Sequence, residues 1–323
     1  MVAVYVLIGL AALVVILAFV MVTGALVVRR RVSRNPDPIP APELRREPDG
    51  VETVLERPDG TRLRTMAAGS GPTVVLAHGY GVDLSTFTPM VHEFVRRGYR
   101  VIAFDQRGHG QTTIGSDGIG SAQMASDYQA VMEYYDVRDA VLLGHSMGGF
   151  VAIRAMLELS EVAGRLRGLV LMATWAGRIL DGAPQNRVQV PMLKYGLLQK
   201  MMASPTFGVY FASTLAGKDP SPAMLQVFRE VFGRPNHRAL IPIVEAFAKE
   251  DRYPRLGEIS VPTVVVCGTA DKTTPSAHSK RLADGIPGAR LVMVPDKGHL
   301  LNWEAPIDLV DAVDSLGERR TTV

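Results

Sequence analysis

Ala140-Val141-Leu142-Leu143-Gly144-His145-Ser146-Met147-Gly148-Gly149-Phe150-Val151-Ala152 runs from a short apolar segment, through a glycine-flanked serine, into a segment of helical pattern. A buried strand, a tight turn and a helix in that order present Ser146 at the tip of the turn. The reversal is so sharp that the serine must adopt a strained backbone. Side chains two residues to either side would then meet the neighbouring strand and helix. Gly144 and Gly148 remove those side chains. In a chain with 31 glycines, Gly-x-Ser-x-Gly also arises by chance, so the flanks carry the inference more than the pentapeptide does.

Outward from this turn, residues 73–77, 101–104, 140–143, 169–172, 263–266 and 291–294 are short continuous apolar runs rich in Val, Ile and Leu. Such runs read as strands buried on both faces. Segments of helical periodicity lie between several of them, at 86–97, 124–135, 150–159 and 277–283. This alternation predicts an α/β fold with a mainly parallel sheet covered by helices, and residues 51–57 and 62–66 add an antiparallel opening hairpin. The alternation lapses once, over residues 175–259, which give helical patterns and no strand-like run; that stretch is expected to be an inserted helical lid.

In an open parallel sheet the reactive groups collect at the carboxyl ends of the strands. His78 and Gly79, Asp105, Ser146, Asp271 and His299 all follow predicted strands directly or within a few residues. A serine hydroxyl needs a base to take its proton, and the base needs a third group to fix its tautomer. His299 and Asp271 suit those roles. The alternative role for Asp271 is a turn or helix-capping residue ahead of Pro275, and for His299 a loop histidine bonded to a backbone carbonyl. Met147, which follows the nucleophile, offers one backbone amide to an oxyanion.

Three spaced motifs, Gly144 to Gly149, Gly268-Thr269-Ala270-Asp271-Lys272-Thr273-Thr274-Pro275, and Gly298-His299 with Glu304 and Pro306, together resemble the elbow, acid loop and histidine loop of the α/β-hydrolase superfamily. The chain order Ser, Asp, His is also the order used there. The resemblance covers residues 51–323 apart from the lid. It implies an α/β-hydrolase fold, serine hydrolase chemistry and a second oxyanion amide at Tyr80, in the His78-Gly79-Tyr80-Gly81 turn, with the tyrosine ring incidental. The loop Asp105-Gln106-Arg107-Gly108-His109-Gly110 is expected to be structural. His78, His109 and His145 are expected to hydrogen-bond in the interior without moving protons. Serine at the elbow argues against the epoxide-hydrolase and haloalkane-dehalogenase branches, which use a carboxylate. Acyltransferases, carbon–carbon hydrolases and perhydrolases share the triad, and a non-catalytic binding module on the same scaffold is the alternative from another class.

The chain of 323 residues is 47% hydrophobic and carries a net charge of +3, without a basic stripe interleaved with aromatics, so nucleic-acid binding is not expected. There is no metal-ligand spacing and no dinucleotide fingerprint, so neither metal nor cofactor is expected. Cys267 is the single cysteine and reads as a small buried residue. Residues 1–28 are almost unbroken Val, Leu, Ile, Ala and Phe, longer than the roughly 20 residues that cross a bilayer. Arg29, Arg30, Arg31 and Arg34 follow, so the positive-inside rule places the rest of the chain on the cytoplasmic side of a single-pass anchor. Residues 29–50, with Pro36, Pro38, Pro40, Pro42 and Pro48, are expected to be an extended tether. The hydrolase core is then 51–174 and 260–323, with the lid at 175–259. Anchor, tether, elbow and apolar lid together resemble membrane-anchored monoacylglycerol lipases, which implies a lipophilic ester as substrate.

Overall fold

Eight strands form the centre of the computed structural model, which describes residues 2–179 and 184–317. They are β1 (Val51–Glu56), β2 (Arg62–Ala68), β3 (Thr73–Ala77), β4 (Arg100–Phe104), β5 (Ala140–His145), β6 (Leu166–Met172), β7 (Thr263–Gly268) and β8 (Arg290–Val294). Their spatial order is β1-β2-β4-β3-β5-β6-β7-β8, with β2 antiparallel to both β1 and β4 and all other pairs parallel. The continuous apolar runs follow from burial on two sides, because successive strand residues point to opposite faces. In β3, Val74 and Leu76 join one core cluster while Val75 and Ala77 join the other.

The helices are α1 (Val2–Val32), α2 (Ala41–Leu44), α3 (Thr88–Arg96), α4 (Ser121–Tyr134), α5 (Met147–Glu158), α6 (Ser160–Gly164), α7 (Pro184–Lys194), α8 (Leu197–Ala203), α9 (Pro205–Leu215), α10 (Pro222–Phe232), α11 (Ile241–Lys249), α12 (Ser276–Gly285), α13 (Leu301–Glu304) and α14 (Pro306–Asp314). Helices α3 and α14 cover one face of the sheet through Met90, Phe94, Leu309 and Val313, with Phe87 just ahead of α3. Helices α4, α5 and α12 cover the other, where Tyr128, Phe150 and Leu282 are buried. Helices α7 to α11 lie between β6 and β7, the stretch expected to form a lid, and their apolar faces continue the second core. Ser204 and Ser221 cap α9 and α10, each side chain accepting the amide three residues on.

The stretch expected to be an extended tether begins inside α1 and is fastened to the lid. The last turns of α1 pack against α9, with Ala25 and Val32 buried. Asn35 then donates to the Pro220 carbonyl at 3.0 Å, Asp37 accepts the Ala223 amide at 2.8 Å, and Arg45 forms a two-pronged pair with Glu230. Residues 33–45 are thus a strap laid over the lid: the prolines prevent a long helix, and the polar side chains between them bind lid groups. Of the segment expected to cross a bilayer, most side chains before Phe19 lie outside the described residues. Among the described residues no helix is long and apolar enough to cross a membrane.

Candidate active site

Ser146 sits between β5 and α5 with φ +54° and ψ −118°, a conformation that costs a non-glycine residue about 1–3 kcal/mol. The surroundings hold it there: its amide donates to the Met172 carbonyl at 2.9 Å, and its carbonyl accepts the Thr174 hydroxyl at 2.6 Å. A Cβ on Gly148 would lie 2.2 Å from the Ala77 carbonyl oxygen, and one on Gly144 would lie 2.7 Å from the Gly149 Cα. Both glycines are therefore demanded by close backbone approach at the turn.

Three loops converge here, His299 lying 153 residues from Ser146 along the chain and 28 from Asp271. His299 Nε2 is 2.9 Å from Ser146 Oγ, and His299 Nδ1 is 2.9 Å from Asp271 Oδ2. All three side chains are 7% exposed or less. Burial pushes the Asp271 carboxyl up, but the His299 ring beside it and the hydrogen bonds from Thr274 outweigh that, so it stays below the usual carboxylate range. Asp271 Oδ1 accepts the amides of Thr273 (2.8 Å) and Thr274 (3.0 Å), and Oδ2 also accepts the Thr274 hydroxyl at 2.7 Å. The capping role weighed for Asp271 is thus real but belongs to this turn, while its other oxygen faces His299.

The amides of Tyr80 and Met147 donate to no group among the described residues. Gly79 brings the Tyr80 turn against the elbow: a Cβ there would lie 3.3 Å from Ser146 Cβ. Two backbone donors thus flank the serine, as an oxyanion site requires. Ser146 and His299 open into a pocket of about 670 Å³, solvent mouth included, whose lid side is Leu193, Leu198, Phe211, Leu215, Phe228 and Phe232.

The rings of His78, His109 and His145 bond backbone groups. His78 Nδ1 donates to the Gly79 carbonyl at 2.7 Å and Nε2 accepts the Gln106 amide at 2.9 Å; His145 Nε2 donates to the His299 carbonyl at 2.9 Å. Burial pulls His78 down to about 4 and His109 and His145 down to about 3, so all three are neutral near pH 7. Asp105 accepts the amides of Leu84 (2.8 Å) and Gln111 (2.9 Å), which makes its loop structural. Among the described residues no His, Cys, Asp and Glu cluster could hold a metal ion.

Three contributions were not read from the sequence. The Thr274 hydroxyl lies between Asp271 and His299, 3.3 Å from Nδ1. A hydroxyl three residues after an acid in a turn is the signal that could have revealed it. Glu304 accepts the amides of Gly217 (2.8 Å) and Gly298 (2.9 Å), tying the histidine loop to the end of α9. Nothing in sequence pairs Glu304 with Gly217. Finally, the Tyr80 ring is not incidental, since its hydroxyl is 3.0 Å from His237 Nδ1 in the lid.

A mainly parallel eight-stranded sheet, a strained serine between strand and helix, and a helical insertion over the carboxyl edge define an α/β hydrolase. The chain belongs to the alpha/beta hydrolase fold family, whose model matches residues 72–306. It is similar to the putative carbamate hydrolase RutD of Variovorax paradoxus, 32% identical over 233 residues that span 71% of this chain and 85% of that protein. It is also similar to the non-heme chloroperoxidase of Burkholderia pyrrocinia, 30% identical over 215 residues, 64% of this chain and 77% of that one. Of solved structures, a hydrolase from Pseudomonas aeruginosa PA01 superposes with a TM-score of 0.69 at 27% identity, covering 83% of this chain and 98% of its own. The Exiguobacterium antarcticum esterase gives 0.72 over 82% and 98% at 24% identity, a likeness of fold alone.

Proposed function

We propose that this protein is a serine hydrolase of lipophilic carboxylic esters, monoacylglycerols among them, held at a membrane by α1 with the catalytic domain on the cytoplasmic side. The observation that carries the reading is the unbroken chain of hydrogen bonds from Ser146 Oγ through His299 to Asp271, set beneath an apolar pocket.

Ser146 Oγ attacks the ester carbonyl as His299 Nε2 takes its proton, and the amides of Tyr80 and Met147 receive the negative charge that develops on the carbonyl oxygen. His299 returns the proton to the leaving alcohol, which departs as the carbon–oxygen bond breaks. Water then attacks the acyl-enzyme by the same route, releasing the acid and Ser146. Asp271 holds the Nδ1 proton on His299 and offsets the imidazolium charge. The lid supports an apolar acyl group, because its leucine and phenylalanine side chains offer no partner to a polar one. The apolar sequence of residues 1–28, followed by four arginines, supports the anchor, and an anchored site meets bilayer esters at high effective concentration. No cofactor or metal enters this scheme.

The test is labelling of the full chain with a fluorophosphonate probe, followed by turnover of an ester series of rising acyl length. Wild type is expected to label and Ser146→Ala is not. Equal labelling of the two would overturn the nucleophile assignment, and a marked preference for short water-soluble esters would overturn the lipid reading.

A further inference from the structure

His237 lies in the connection between α10 and α11, is 1% exposed, and has both ring nitrogens engaged. Nε2 is 2.7 Å from the Phe232 carbonyl and Nδ1 is 3.0 Å from the Tyr80 hydroxyl. A carbonyl oxygen only accepts, so Nε2 carries the proton and Nδ1 is left to accept from Tyr80. The direction of the chain is therefore fixed: Tyr80 donates to His237, and His237 donates to Phe232. Burial lowers the His237 ring below its ordinary value, consistent with this neutral tautomer.

Each link leads somewhere functional. Phe232 is a wall of the substrate pocket. Tyr80 carries one of the two undirected amides beside Ser146. Its ring packs edge-on to Phe232 and Phe247 of the lid region, with centroids 6.2 Å away in each case. Next to it, Gly81 has φ +75°, and a Cβ there would lie 2.6 Å from the Phe232 ring. Lid and oxyanion turn are thus in contact at two consecutive residues, and the hydrogen bond is the directional part of that contact. An oxyanion donor must be held to within about 0.5 Å of its working position to act at full strength.

We propose that His237 is a positioning residue: through the Tyr80 hydroxyl it holds the turn that aims the Tyr80 amide, so the oxyanion site is complete only when the lid is seated. This rests on the ester-hydrolase reading above. It adds that the lid shapes the transition state as well as the acyl pocket.

The test compares full-length wild type, Tyr80→Phe, His237→Gln and the double variant on a p-nitrophenyl ester, with an alkyl boronic acid as transition-state analogue. Tyr80→Phe keeps the ring and removes only the hydroxyl; His237→Gln carries its NH2 out to the reach of Nε2, keeping a donor for the Phe232 carbonyl, and leaves no accepting atom at the place of Nδ1. Each single change is expected to lower kcat about tenfold to thirtyfold with KM within about twofold, and to weaken boronate inhibition by the same factor. The double variant is expected to fall no further than the worse single one. A kcat within twofold of wild type in Tyr80→Phe, a loss confined to KM, or losses that multiply in the double variant would each overturn the proposal. If His237→Gln does not fold, Tyr80→Phe decides alone. A wild type that turns over no ester and leaves Ser146 unlabelled overturns the hydrolase reading itself, whereas an active wild type with an unaffected Tyr80→Phe removes only the latch.

Discussion

Replacing Asp271 by Asn separates the charge of this residue from its shape. In the native site one carboxylate oxygen accepts two amides, from Thr273 and Thr274, and the other accepts the Thr274 hydroxyl and faces His299 Nδ1. An asparagine has only one accepting oxygen. If that oxygen faces His299, its NH2 group is driven against two N–H donors. It must therefore turn the oxygen to the amides and the NH2 to His299. Nδ1 is then obliged to accept, the ring proton moves to Nε2, and the base presents a proton to Ser146 in place of a lone pair. In serine triads a wrong tautomer of this kind costs about 10³- to 10⁴-fold in kcat, roughly 4–5.5 kcal/mol of transition-state stabilisation. The assay is steady-state hydrolysis of a p-nitrophenyl ester by the full chain, with circular dichroism to show that the fold is kept. KM is expected to change little, since Asp271 does not line the pocket. A folded Asp271→Asn variant that keeps more than a tenth of wild-type kcat would refute the assignment of Asp271 to His299.

Thr274→Val removes the hydroxyl shared by Asp271 and His299 but leaves both amide bonds to Asp271, so kcat should fall about threefold to tenfold, near 1 kcal/mol, with KM unmoved; equal kcat values would reduce Thr274 to a packing residue. Stability should also be acid-sensitive. His78, His109 and His145 have folded pKa values below the unfolded value near 6.5, so the unfolded chain binds more protons below that pH, and the stability present above about pH 7 is lost as pH falls toward 4. At pH 5 each costs about 2 kcal/mol. Asp105, raised to about 6 chiefly by burial, protonates more readily when folded and returns about 1 kcal/mol over the same range. Urea unfolding at pH 7.5 and pH 5 should therefore differ by about 4–5 kcal/mol, and a flat profile would mean these rings are not held neutral.

The sequence by itself determined the sheet, the elbow and the identity of the three loops that meet there. Those features are local. Burial on both faces writes itself into a strand as a continuous apolar run, and a backbone reversal that excludes Cβ atoms writes itself as Gly144 and Gly148 around Ser146. Asp271 and His299 were legible because each follows its strand by a few residues, so the sheet alone brings them to one edge. Tertiary structure decided what joins the segments. Glu304 meets Gly217 across the end of α9, the Tyr80 hydroxyl meets His237 in the lid, and Asn35, Asp37 and Arg45 fasten to the lid a proline-rich strap that reads as an extended tether. None of these pairs has a periodicity or a spacing. A hydrogen bond constrains two atoms in space and leaves the number of residues between them free, so it appears only once the sheet and lid have folded both partners to the same place.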